Sequence, residues 1–244
     1  MDQTERGPDD EYNIFNPFYS PDVKEPLDDE WAAKRRLAAE VRELIESLVT
    51  CTSDMQTLND VTEAVKAQAE KLKKAPRRLG RTAFYEAEPN KYLTFASLGY
   101  ELNPLDGESN PIAAPMKIWI EGDTAYGRAN LGWQYEGPPN SVHGGFVAAI
   151  FDQFLGVGQK ITNQPGVTGT LSIRYIKPTP LYTELKLKGW VKSVEGRKNT
   201  LVGEMWAGDV LTATCEGLFI HIDLDAYHKM KSAKPEVVPG ASNK

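Results

Sequence analysis

Cysteine is scarce in this sequence: Cys51 and Cys215 are the only two in 244 residues. Two widely separated thiols exclude a disulfide scaffold and a Cys-rich zinc module, and they suit a reducing compartment. Basic charge is also short. Lys and Arg number 28 against 34 Asp and Glu, a net charge of −6. The chain therefore lacks the broad basic face that nucleic-acid binding needs, and no nucleic-acid partner is expected. A small anionic ligand remains compatible if a few cations are placed locally. No apolar run approaches the roughly 20 residues that span a bilayer, so no membrane span is expected. The opening MDQTERGPDDEYN is acidic and polar, unlike a secretory signal, and a cytoplasmic setting is the expectation. The sequence has no G-x-S-x-G elbow, no P-loop and no H-E-x-x-H, which removes three common catalytic readings.

What is present divides into five stretches. Residues 1–26, rich in Pro, Asp and Glu, read as an irregular N-terminal arm, with Tyr12, Ile14, Phe15, Phe18 and Tyr19 available to pin it to a folded surface. Residues 27–76 read as a helical hairpin. Trp31, Ala38, Val41, Leu44, Ile45 and Leu48 recur at helical spacing, Cys51–Ser53 breaks the run, and Met55, Leu58, Val61, Val65 and Leu72 form a second stripe. Ser53 and Gln56 have the spacing of a capping box. Neither stripe can stay exposed at low cost, so the hairpin is expected to dock, on its own sheet or on a second copy. KLKKAPRRLGR, residues 71–81, is a solvated linker or a phosphate-facing patch. Residues 77–115 hold that linker and an extra strand or loop, with KYLTFASLGYEL expected to be extended. The polar tail, 226–244, is expected to fray.

Residues 116–225 form the main domain. MKIWIEG and TAYGRANLGW read as strands joined at Gly122–Asp123. SVHGGFVAAIFDQFLG follows as a helix that is apolar nearly all round. VTGTLSIRYIK, ELKLKGWVKSV, NTLVGEMWAG and VLTATCEGLFIHID are four further strands. Their short links demand antiparallel neighbours. The expectation is an α+β fold, an antiparallel sheet wrapped round one central helix.

Asp152 lies in the middle of that helix, and charges are almost never buried unpaired. Its helical neighbours Gly145, Ala148, Ala149 and Gly156 are small, so its face opens on a cleft where a carboxylate could act as general base or nucleophile. Gly144 and Gly145 begin the helix, where unpaired amides and the dipole could stabilise an oxyanion; alternatively they only permit tight packing. His143 could by type be a base. Cys215 reads as a small buried hydrophobe, and His221 and His228 as structural.

HGGFVAAIFD, GVTGTLSIRYIKPTPL and VEGRKNTLVGEMW together resemble the PaaI-like branch of the hotdog-fold acyl-CoA thioesterases, over about Met116 to Asp223. The resemblance implies a hotdog fold, an acyl-CoA substrate, no metal and no cofactor beyond the CoA of the substrate. It implies a homodimer, or a dimer of dimers, in which HGG and the acid of one site come from opposite subunits. It implies that His143 binds and positions the thioester. Thr168 matches the Ser or Thr that holds the water or the acid, with Thr170 its rival. Arg197 and Lys198 are candidates for the CoA phosphates, with Lys160 and Lys177 behind them. One departure stands out. Relatives often carry Asn six positions before the His, where this chain has Gly137; Asn140 could substitute. Two other readings compete: a hotdog acyl-CoA hydratase or dehydratase, and a non-catalytic acyl-CoA-binding dimer.

Overall fold

The computed structural model describes residues 26–88, 91–92, 97–114, 116–164 and 166–222. The aromatic residues of the N-terminal arm, His228 and the polar tail lie outside the described residues. Helix α1 (Asp29–Thr50) starts at Asp28, whose carboxylate accepts from the Trp31 N–H at 2.9 Å. Helix α2 (Met55–Lys74) follows a four-residue link. Its cap differs from the expected Ser53–Gln56 box. Asp54 caps it, accepting from the Thr57 N–H at 2.9 Å, while Gln56 donates to Asp60. Asp54 stands one residue nearer the helix and offers a charged acceptor.

Two short helices, α3 (Arg81–Ala87) and α4 (Ser97–Leu102), come next. KYLTFASLGYEL is thus corrected from strand to helix over Ser97–Leu102, residues 93–96 lying outside the description. The reason is tertiary. Leu98 and Glu101 face inward on one helical side. Leu98 joins Trp31 and Tyr92 in a small core, and the buried Glu101 carboxylate is gripped by Arg35 of α1 at 2.7 Å. This clasp fixes α1 to the chain that leads into the sheet.

The sheet has six antiparallel strands: β1 (Met116–Glu121), β2 (Thr124–Ala129), β3 (Gly166–Tyr175), β4 (Leu185–Glu195), β5 (Lys198–Ala207) and β6 (Val210–His221), in the order β1-β2-β4-β5-β6-β3. Between β2 and β3 runs the central helix α5 (Gly144–Gly158), as expected. It buries Val147, Ile150, Phe151, Phe154 and Leu155 on the concave face of the sheet. Glycines make room for it. A Cβ at Gly189 would lie 2.8 Å from the Phe154 ring, and one at Gly203 3.1 Å from Leu155. Gly189 and Gly203 are paired across β4 and β5, so the helix settles into a trough.

β3 is an edge strand, and most of it is exposed. An uncovered edge of ten residues is a ready surface for pairing with another chain. Among the described residues no helix is long and apolar enough to cross a membrane.

Candidate active site

The apolar helix tolerates Asp152 because its carboxylate is only half-buried and has a partner. Thr168 Oγ1 donates to Asp152 Oδ1 at 2.7 Å, from the edge strand to the helix. A β-bulge makes this contact possible. Thr168 pairs with Phe219 and Thr170 with Leu218, leaving Gly169 as the extra residue. Side chains alternate along a strand, so without the bulge Thr168 would face away from Leu171 and Ile173, which pack on the core. With it, Thr168, Leu171, Ile173 and Tyr175 all face the helix. This separates Thr168 from its rival Thr170. Beside Asp152 the surface is open: a Cβ at Gly156 would meet nothing within 4 Å.

The helix start is built differently from the simplest expectation. His143 is the N-cap, and its Nδ1 accepts from the Gly145 N–H at 3.0 Å. The Phe146 and Val147 amides bond to the His143 carbonyl. The Gly145 amide is therefore already occupied, whereas the Gly144 N–H meets no acceptor among the described residues. Tyr175, at the far end of β3, donates from its hydroxyl to the Gly144 carbonyl at 2.9 Å. In the sequence Tyr175 is only one residue of GVTGTLSIRYIKPTPL; nothing in a single strand residue shows that it reaches a helix N-terminus.

Gly137 packs against the same histidine. A Cβ there would stand 2.6 Å from the His143 Cα, so no asparagine fits at this position. Asn140 serves as a turn residue: its φ is 59°, its N–H donates to Glu136 at 2.7 Å, and its carbonyl accepts from Leu181. Arg197 and Lys198 stand where β4 turns into β5, and Arg197 donates to the His221 carbonyl at 3.0 and 3.2 Å. Lys198 is exposed, as is Lys177; Lys160 is half-buried. In register, Lys198 faces Ile220 of β6, which faces Val167 of β3, so Arg197 and Lys198 share the Thr168 end of the sheet, whereas Lys177 follows the Tyr175 end, its N–H bonded to the Thr212 carbonyl. Cys215 pairs with Ile173; burial, helped by the negative charge of Asp152, pushes its thiol up to about 12 and keeps it protonated.

Two neighbouring features are distinct from this group. Gln153, the residue after Asp152, donates to Asp106 at 3.0 Å and accepts from Asn103 at 3.1 Å, which ties the 97–114 segment to the helix. Burial raises the Asp106 carboxyl to about 6 against the opposing bond from Gln153. A cleft of about 460 Å³ opens beside Asp106, Arg42, Met116 and Arg128, and none of Gly144, Asp152 and Thr168 lines it.

An antiparallel sheet wrapped round a single apolar helix is the hotdog fold, and residues 139–214 match the family model of the thioesterase superfamily. The hotdog fold and the family match thus coincide on the same part of the chain. The chain is 32% identical over 94 residues to an acyl-coenzyme A thioesterase, THEM4, of Mus musculus, a stretch covering 38% of this chain and 40% of the relative. It is 35% identical over 63 residues to THEM4 of Xenopus laevis, covering 26% and 28%. The matched part thus spans two fifths or less of these relatives' length. A crystal structure of a thioesterase superfamily protein is 29% identical with a TM-score of 0.64, covering 77% of this chain and 94% of that one. Residues 116–221 are less than half of the chain, so this likeness takes in part of the N-terminal helical region as well.

Proposed function

We propose that this protein hydrolyses the thioester of an acyl-CoA, at sites assembled between two copies of the chain. The observation that carries the reading is the placing of two complementary groups at opposite ends of one exposed edge strand. The Asp152–Thr168 pair sits near the start of β3, and Gly144, whose carbonyl accepts from the Tyr175 hydroxyl, stands at its end. Asp152 lies eight helical steps after Gly144, about 12 Å, too far for both to act on one thioester. If β3 pairs antiparallel with β3 of a second copy about a two-fold axis near Leu171, Thr168 of one copy comes opposite Arg174 and Tyr175 of the other. The acid of one copy then meets the helix start of its neighbour. The exposed β3 edge gains a partner in the same step.

In this arrangement the Gly144 N–H donates to the thioester carbonyl oxygen, and its bond strengthens as negative charge develops there. Asp152 either takes a proton from the attacking water or attacks the carbonyl carbon itself. As base, Asp152 passes the water's proton to the sulfur as the C–S bond breaks, and the water's hydroxyl completes the free acid; as nucleophile, it expels the thiolate and forms a mixed anhydride, which water then hydrolyses to the free acid, its proton going to the thiolate and Asp152 being restored. Thr168 fixes one carboxylate oxygen and leaves the other for chemistry. His143 holds the glycine turn through the Gly145 amide. Arg197 and Lys198 are offered to the CoA phosphates. The acyl-CoA thioesterase names of the THEM4 relatives and the superfamily match support the reaction class.

The test is thiol release from a panel of acyl-CoAs. Asp152→Asn keeps the side-chain shape and removes basicity and nucleophilicity. It is expected to lower kcat by at least about 10²-fold in a folded protein. Near-normal turnover by that variant would sink the mechanism. Binding of acyl-CoA by the wild-type protein without thiol release would favour the non-catalytic reading.

A further inference from the structure

Two glycines open the central helix, and one peptide group joins them. Glycine has no Cβ to hold its backbone, so a Gly–Gly plane can turn over at little steric cost. Yet both ends of this plane are tied by side chains. Its carbonyl, that of Gly144, accepts from the Tyr175 hydroxyl at 2.9 Å. Its N–H, that of Gly145, donates to His143 Nδ1 at 3.0 Å. The two bonds share one peptide group, so each polarises it in favour of the other.

The fit around the plane is close. A Cβ at Gly145 would lie 3.1 Å from His143 Nδ1, and one at Gly144 would lie 3.4 Å from the Tyr175 ring. A side chain at Gly145 would therefore crowd the imidazole off the amide it holds. Tyr175 is 55% exposed on an edge strand, where water competes for its hydroxyl, and it still reaches the helix start. A carbonyl has two lone pairs, so the one at Gly144 can serve the helix ladder and the hydroxyl together.

His143 is what the tied plane controls. A neutral imidazole has one donor and one acceptor nitrogen, and the bond made by one decides the other. With Nδ1 accepting from Gly145, the proton sits on Nε2. His143 is exposed, and its Nε2 meets no acceptor among the described residues. It is a free donor one residue before the Gly144 N–H, which meets no acceptor either. If the glycine peptide turns over, Nδ1 loses its donor, and either nitrogen can then carry the proton.

We infer that Tyr175 is a positioning residue: its hydroxyl locks the Gly144–Gly145 peptide and through it keeps the His143 proton on Nε2, where it can be donated to the thioester carbonyl. The part about the thioester rests on the hydrolysis proposed above; the chain of hydrogen bonds does not.

Tyr175→Phe in the full chain tests this, since it keeps the ring over Gly144 and removes only the hydroxyl. The sequence holds three histidines, so long-range ¹⁵N–¹H correlation of histidine-labelled protein resolves His143, with His143→Gln for assignment. Spectra are taken without substrate at about pH 8, above the ordinary histidine range. The wild type is expected to show His143 protonated on Nε2 alone, and Tyr175→Phe to show both tautomers. Its kcat for thiol release is expected to fall about tenfold, as for one net hydrogen bond, with KM changed by less than about twofold. A tyrosine that only stabilises the fold would lower the urea midpoint and leave tautomer and kcat as in the wild type; that result overturns the inference. A wild-type His143 protonated on Nδ1 overturns it too, as does a tautomer change with kcat within about twofold of wild type. A wild-type protein that releases no thiol from any acyl-CoA defeats the hydrolysis, and with it the thioester as acceptor; an active wild type whose Tyr175→Phe variant keeps the Nε2 form defeats the Tyr175 link alone.

Discussion

Thr168 and Thr170 stand two residues apart on one strand, and only the backbone between them decides which can serve Asp152. The bulge at Gly169 turns Thr168 to the helix and leaves Thr170 facing away. Thr168→Val keeps the shape and removes the hydroxyl; a fall of about tenfold or more in kcat is expected, from the loss of a hydrogen bond to a charged group worth about 1.5–3 kcal/mol. Thr170→Val should leave kcat within about twofold, and steady-state assays of the two variants check the contrast. Asp106 carries a different prediction, about stability. Its carboxyl is raised from the ordinary 3.8 to about 6 by burial. The folded state therefore holds its proton more tightly than the unfolded chain. That contribution is fully present below 3.8 and is lost as the pH rises through 6. Asp106→Asn should therefore stabilise the protein at pH 7.5 by up to about 3 kcal/mol. The gain should shrink as the pH falls below 6, as read from urea unfolding at several pH values.

The central helix and the strands beneath it are fitted through missing side chains. Phe154 lies over Gly189, where a Cβ would stand 2.8 Å from its ring. Gly189→Ala must push Phe154 or the strand aside, and such overpacking costs about 1–3 kcal/mol. A lower urea midpoint with an unchanged m-value would verify this. The start of the same helix is suited to a cleaner probe of the amide. Gly144 is the first helical residue, where proline is tolerated, and His143 before it is extended with ψ of 133°. Gly144→Pro removes one N–H and adds a ring whose Cβ stands 3.4 Å from Tyr175, and kcat should fall by about 10²–10³.

For the whole molecule the decisive prediction joins those two lesions. Asp152→Asn and Gly144→Pro are each expected to be nearly inactive alone. In a mixed dimer, one site draws its Gly144 amide from the Asp152→Asn chain and its acid from the Gly144→Pro chain, and is intact. Its companion site has both lesions. Mixed dimers isolated by two tags should therefore regain about half of the wild-type kcat per dimer, by the additivity expected of separate sites. A site contained within one chain gives no recovery. Thiol release by the purified mixed dimer decides between the two.

The sequence by itself determined the elements of the hotdog domain, because each carries a local signal: an apolar helix of period 3.6 between strands joined by links too short for parallel crossovers. It also marked Asp152, since a charge in an apolar helix needs a reason, and the glycines at the helix start. It did not show that the Gly145 amide is taken by His143, that Gly137 leaves room for that histidine, or that Tyr175 reaches Gly144, because each is a contact made only when distant backbone closes. The choice of Thr168 over Thr170 hung on one unpaired residue in a ladder, which register alone reveals. Ser97–Leu102 misled for the same reason. The strand signal came from Tyr92, Thr94 and Phe95 just before it, and Arg35, 66 positions before Glu101, holds the helix through the Glu101 carboxylate. Local pattern fixes which segments form and which face they bury; only tertiary structure decides which polar groups find each other, and so where chemistry can occur.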